Sequence, residues 1–215
     1  LWKSDEDRNF HVPTNEEIAA LLPAVGPRHL SYDSVAGTLG RDDRRTQLSF
    51  GGIAKGYAVD RAAAIFASFG LKTFLIQAGG DLYATGEKPD GSPFSAAVAD
   101  PRNPERTLGQ LSLNKHAFST AGDYARSFVR DGRRYHHILD PRTGSPANAC
   151  QSVTVWTETA FEADGLDDAV FVLGPEKGLA LVEATPGAGA VIVDAAGGIH
   201  VSERLRGLLT LTPAR

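Results

Sequence analysis

A chain of 215 residues with 42% hydrophobic and 22% charged side chains and a formal net charge of −4 can bury one core or two lobes, which excludes intrinsic disorder. Its 22 Lys and Arg residues are scattered and its pI is near 5.9, so nucleic acid is not an expected partner. No apolar run reaches the length of a membrane span, and the solitary Cys150 cannot close an intrachain disulfide, which leaves the redox compartment open.

Taken in order, residues 1–13 are charged and irregular, and a start at Leu1-Trp2 without any methionine implies that the natural beginning lies upstream. Thr14 with Glu17 three residues later forms a capping box, which predicts a short helix ending before Pro23. Arg28 to Asp33 and Thr46 to Phe50 are strand-like, and Gly40-Arg-Asp-Asp-Arg-Arg between them reads as the solvated tip of a β-hairpin. Gly51-Gly52 then opens a helix running to about Phe69, with Ile53, Tyr57, Ala64, Ile65 and Ala67 expected on its buried side. Glycines before a helix N-terminus serve either as plain turn geometry or as a place where phosphate reaches backbone N–H groups. Lys55 is correspondingly a phosphate contact or a surface lysine.

Leu71 to Gln77 is a continuous apolar run, the pattern of a buried strand, and the turn Ala78-Gly79-Gly80-Asp81 leads to a second run, Leu82 to Thr85. Pro93 to Ala99 and Thr107 to Leu113 alternate as antiparallel strands around a loop, Asp100-Pro-Arg-Asn-Pro. Arg126 to Val129 and Arg134 to Leu139 flank Asp131-Gly132, a tight hairpin turn. On that second strand His136 and His137 point to opposite faces, and His137 adjoins Asp140, Arg142 and Thr143 in a Pro-Gly turn. Gln151 to Trp156 is a strand, Gly189 to Asp194 and Gly198 to Ser202 form a hairpin, and Gly207 to Thr212 is a candidate closing strand. Antiparallel strands interrupted by a few helices define an α+β chain with a single domain over 1–215.

The acidic stretch Ala163-Asp-Gly-Leu-Asp-Asp-Ala169 organises the remainder. On a helix Asp164, Asp167 and Asp168 fall at i, i+3 and i+4 and share one face, while the following turns, through Val170, Phe171 and Leu173, are apolar all round. Pro175 then opens a second helix. The carboxylates are either an acidic first turn favoured by the helix dipole or an oxygen-only site for a hard cation such as Mg²⁺. Oxygen ligands suit Mg²⁺ better than zinc, and a zinc site at His136 and His137 is not expected, since no third nitrogen or sulfur ligand stands at suitable spacing.

Four motifs in one order resemble the ApbE family of FAD:protein FMN transferases: GGIAKGYAVD at 51–60, QAGGDLYATGE at 77–87, STAGDYARSF at 119–128 with RRYHHILDPRTGSP at 133–146, and ADGLDDAVFVLG at 163–174. The resemblance runs from Leu1-Trp2 to near the C-terminus, without the family's N-terminal segment. It implies an ApbE-like, T-fold-related architecture of largely antiparallel sheets with packed helices. It further implies a Mg²⁺-dependent enzyme that cleaves FAD, attaches FMN through a phosphoester bond to a Thr or Ser of an acceptor flavoprotein, and releases AMP. By position, Asp164 and Asp167 match metal ligands, Asp168 stands where the family usually has threonine, and Gly52 can offer a backbone carbonyl. Ser49, Lys55, Gly79, Gly80, Asp81, Thr120 and Ile138 fall at flavin-binding positions, Ser49 in place of an aspartate and Ala121 in place of a serine. His137 resembles the histidine implicated in transfer, with Asp140 or Asp123 as orienting partners. Membrane association is expected only through an N-terminal lipid anchor outside this chain, and the family's usual location is the periplasm or cell envelope, with the cytoplasm as the alternative. An FAD pyrophosphatase that uses water as acceptor, and a flavin-binding module without chemistry, are the competing functions.

Overall fold

The computed structural model describes Trp2 and residues 11–212, so most of the irregular segment 1–13 lies outside it. Two compact units emerge, Leu1–Ser49 with Arg126–Ala147, and Phe50–Ala125 with Asn148–Arg215. All strand pairings are antiparallel and a few helices pack on them, so the chain is α+β as expected.

In the first unit, α1 (Asn15–Leu21) carries the predicted capping box, with Glu17 N–H donating to Thr14 Oγ1 and Thr14 N–H donating to the Glu17 carboxylate. The hairpin that follows differs from the sequence reading. β1 (Leu30–Asp33) pairs with β2 (Thr38–Arg41), and residues 46–50 form no strand. The turn is set earlier because the Asp33 carboxylate accepts from the N–H groups of Val35 and Ala36, and Gly37 takes a positive φ of 63°. Thr46 is instead buried, donating its hydroxyl to the Ala24 carbonyl.

The second unit begins with α2 (Ala54–Ser68), whose buried residues are Gly56 and Val59, not the larger side chains expected there. Tyr57 and Ile65 are exposed. Small residues face inward because helix packs on helix here: a Cβ at Gly56 would collide with the Ala160 carbonyl and lie 2.8 Å from Asp164 Cβ. Then come β3 (Phe74–Ala78), β4 (Asp81–Thr85), β5 (Phe94–Asp100), β6 (Asn103–Leu113) and β7 (His116–Gly122). The apolar run into β3 is the edge of its sheet and is only half-buried, and the expected loop at 100–104 shrinks to Pro101-Arg102. Asp100 tightens that turn by accepting from the N–H groups of Arg102 and Asn103, and Pro104 is tolerated in β6 because its end of the strand has a neighbour on one side only.

The chain returns to the first unit with β8 (Ser127–Arg130) and β9 (Arg133–His136), joined by Asp131-Gly132 with φ of 52° and 74°, as a two-residue hairpin turn requires. β10 (Leu139–Asp140) and β11 (Ser145–Pro146) clamp the Pro-Gly turn. It re-enters the second unit with β12 (Cys150–Thr157), α3 (Ala160–Ala184), β13 (Gly189–Asp194), β14 (Ile199–Val201) and β15 (Leu209–Leu211).

The order β14-β13-β12-β7-β4-β3 makes a six-stranded sheet. One of its faces shares a core, including Leu111, Leu113, Phe118, Trp156 and Val191, with the three-stranded sheet β15-β6-β5. The closing strand β15 thus belongs to the smaller sheet. Helix α3 covers the opposite face, so β12 is buried on both sides. Gly174, at φ 80° and ψ 177°, breaks α3 just before Pro175, which gives the two helical segments that Pro175 predicts. Among the described residues no helix is long and apolar enough to cross a membrane.

Candidate active site

The start of α3 bears on the first-turn reading of the acidic stretch. Thr159 caps the helix by accepting from Glu162 N–H, and the Asp60 carboxylate accepts from Ala160 N–H at 2.8 Å and Phe161 N–H at 2.9 Å. The first turn is therefore satisfied before Asp164 is reached, and the dipole-cap reading fails. Asp164 and Asp167 are 2% and 4% exposed, deep enough that an unpaired carboxylate would be costly.

Their partners arrive from three directions. Lys55, in the first turn of α2, places its ammonium 2.5 Å from Asp164 Oδ1 and 2.8 Å from Asp81 Oδ2. Gly56 N–H donates to Asp164 Oδ2 at 2.9 Å, which the close approach of α2 makes possible. Ser119 Oγ lies 2.6 Å from both Asp81 Oδ1 and Asp167 Oδ2, and Asp168 N–H donates to the other oxygen of Asp167. A hydroxyl has one proton, so Ser119 shares it between the two carboxylates. Burial pushes Asp167 well above the ordinary carboxylate range, against the pull of Ser119 and with help from the charges of Asp168 and Asp164. At Lys55, partial burial lowers the pKa, but hydrogen bonds and charge from Asp164 and Asp81 outweigh it and hold the ammonium above its usual value.

Gly52 and Asp168 complete the rim. A Cβ at Gly52 would stand 3.2 Å from Asp168 Oδ2, and one at Gly79, whose φ is 67°, would stand 3.6 Å from Lys55 Cδ. Gly52, Lys55, Gly79, Gly80, Asp81, Asp164, Asp167 and Asp168 thus gather in the second unit around one charged cluster. Thr120 is adjacent but turned away: its hydroxyl pairs with Thr154 at 2.9 Å, on the strand face opposite to Ser119. Ser119 and Gly56 are functional neighbours that sequence reasoning passed over. Polar Ser119 on a strand with Ala117, Phe118 and Ala121 was the available signal.

Ser49, His137 and Ile138 belong to the other unit. Ser49 is exposed. His136 is buried, with its Nε2 2.9 Å from the Ala147 carbonyl, whereas His137 is exposed, as alternation predicts. The Ile138 side chain is buried and its carbonyl accepts from Ala147 N–H at 3.0 Å. Both proposed orienting carboxylates are held by arginines: Asp140 by Arg142 at 2.7 Å, and Asp123 by a bidentate Arg102 at 2.6 Å.

A sequence model of the ApbE family matches residues 1–192. The chain belongs to the ApbE family. The FAD:protein FMN transferase of Vibrio cholerae is 36% identical over 187 residues, covering 86% of this chain and 55% of that protein. That of Salmonella typhimurium is 34% identical over 182 residues, covering 82% and 52%. Among solved structures, the ApbE protein of Thermotoga maritima matches with a TM-score of 0.86 at 38% identity, over 94% of this chain and 66% of that one. The apo flavinyl transferase ApbE of Pseudomonas stutzeri matches at 0.79 and 39%, over 94% and 63%. The chain spans about half the length of the curated relatives that it matches.

Proposed function

We propose that this chain is the part of an FAD:protein FMN transferase that grips the FAD pyrophosphate, so that FMN passes to a Thr or Ser hydroxyl of an acceptor flavoprotein and AMP leaves. The observation that carries the reading is the Lys55 ammonium held between Asp81 and Asp164 at the opening of α2. The Lys55 side chain is half exposed while both carboxylates are buried, so the ion-paired ammonium stands at the opening of a helix beside two bare glycine turns. Such a place suits a diphosphate.

The donor set also fits Mg²⁺ in kind. Asp164, Asp167, Asp168 and the Gly52 carbonyl offer oxygen only, and the buried Asp164 already draws a cation, Lys55. Among the described residues no three His, Cys, Asp or Glu side chains converge at ligating separation. When bound, the metal supplies charge neutralisation at the breaking phosphoanhydride. Gly79 and Gly80 let backbone approach the ligand, and Asp81 with Ser119 keeps the Lys55 ammonium aimed. In this reading the exposed His137 accepts the proton of the attacking hydroxyl.

The test is incubation of the chain with FAD, Mg²⁺ and a purified flavoprotein domain bearing an acceptor threonine. AMP release together with FMN on that threonine supports transfer. AMP release with free FMN points to a pyrophosphatase, and FAD binding without AMP to a carrier.

A further inference from the structure

We propose that the β8–β9 hairpin is a docking surface for an acidic segment of a protein partner. Its register sets Phe128 opposite Tyr135 and Arg130 opposite Arg133, so all four side chains share one face. The two rings stack at 5.2 Å and 17°. Each arginine lies over the ring of its own strand, Arg130 at 5.8 Å from Phe128 and Arg133 at 5.2 Å from Tyr135. Trp2 extends the stack, with its ring 5.7 Å from Tyr135 and its indole N–H donating to the Gly144 carbonyl at 2.8 Å.

Charge is concentrated here although the chain as a whole is negative: residues 126–136 hold four arginines against one aspartate, and Arg126, Arg130, Arg133 and Arg134 are all exposed. Two arginines directly opposite on one face raise the local positive potential, which a carboxylate-rich partner would relieve. Stacking preorganises the guanidinium planes, whose N–H forks match carboxylates bidentately. A ring stack flanked by arginines is the composition of a protein interface core. A lipid surface fits less well, because the rings are engaged with one another and the cations are arginine, not lysine. This inference uses the transferase reading only to name the partner as the acceptor; the surface chemistry stands without it.

Titrating the chain with poly-L-glutamate, followed by tryptophan emission, tests it. Trp156 is buried, so a change in emission reports Trp2. The parent should bind, more weakly as salt rises, and Arg130→Gln with Arg133→Gln should bind about tenfold more weakly. Arg130→Lys with Arg133→Lys should fall between, keeping the charge without the fork, and Arg204→Gln with Arg206→Gln should match the parent. Should the glutamine pair fail to fold, the lysine pair still decides. Equal binding by parent and hairpin variants would overturn the proposal, as would a parent that prefers phosphatidylglycerol vesicles or single-stranded DNA at matched charge. Because none of these arms measures transfer, a failed flavin assay leaves the outcome unaffected.

Discussion

Lys55 and Asp164, 109 positions apart in sequence, meet at 2.5 Å, and that contact joins the opening of one helix to the buried carboxylate of another. It requires Gly56, since only a residue without a side chain lets α2 approach α3 closely enough for the Gly56 N–H to bond the same carboxylate.

Gly56→Ala should therefore destabilise the fold. Its methyl has backbone on one side and Asp164 Cβ on the other, so the helices must part, at a cost of about 1–3 kcal/mol typical of overpacking. Chemical denaturation measures it, and an unchanged midpoint would mean that the helices separate freely.

Lys55→Ala leaves Asp81 and Asp164 without their cation. A fully buried pair loses about 3–5 kcal/mol when one partner is removed, but with Lys55 47% exposed solvent screening reduces the expected loss to about 1–2 kcal/mol. Magnesium should then raise the melting temperature of Lys55→Ala more than that of the parent, because the ion no longer competes with an ammonium. Melting curves with Mg²⁺ and with a chelator compare the two.

Asp164→Asn should abolish the Mg²⁺-dependent rise in melting temperature, whereas Asp168→Thr, which keeps an oxygen beside Gly52, should retain it. A full magnesium shift in Asp164→Asn would remove Asp164 from the metal site.

Burial, aided by the charge of Asp194, pushes the Cys150 thiol up to about 12. The thiolate is the reactive form, so at pH 8 Cys150 should resist Ellman's reagent in the native chain and react fully in guanidinium. The sign for stability follows from the ordinary value of 9.0: as pH rises above it, the unfolded chain loses its proton first and the native state is progressively disfavoured. Rapid labelling at pH 8 without denaturant would contradict the burial.

Periodicity made most of the fold legible. Strand alternation separated buried His136 from exposed His137, and the Asp131-Gly132 turn was fixed by local chemistry. The acidic helix face also survived, because i, i+3 and i+4 spacing is geometric. What failed depended on partners distant in sequence. The large residues Tyr57 and Ile65 drew the expected inward face of α2 to the wrong side, since nothing local says that Ala160 will press on Gly56. The β1–β2 hairpin was misplaced because the Asp33 turn was overlooked in favour of a more charged one. Ser119 went unassigned for the same reason as Asp60: each acts on a helix that the chain forms about 40 or 100 residues later.

Mass spectrometry of an acceptor flavoprotein domain after incubation with this chain, FAD and Mg²⁺ tests the central claim most directly. The account predicts FMN on the acceptor threonine with the parent chain and none with Asp164→Asn. Equal modification by parent and Asp164→Asn would contradict it.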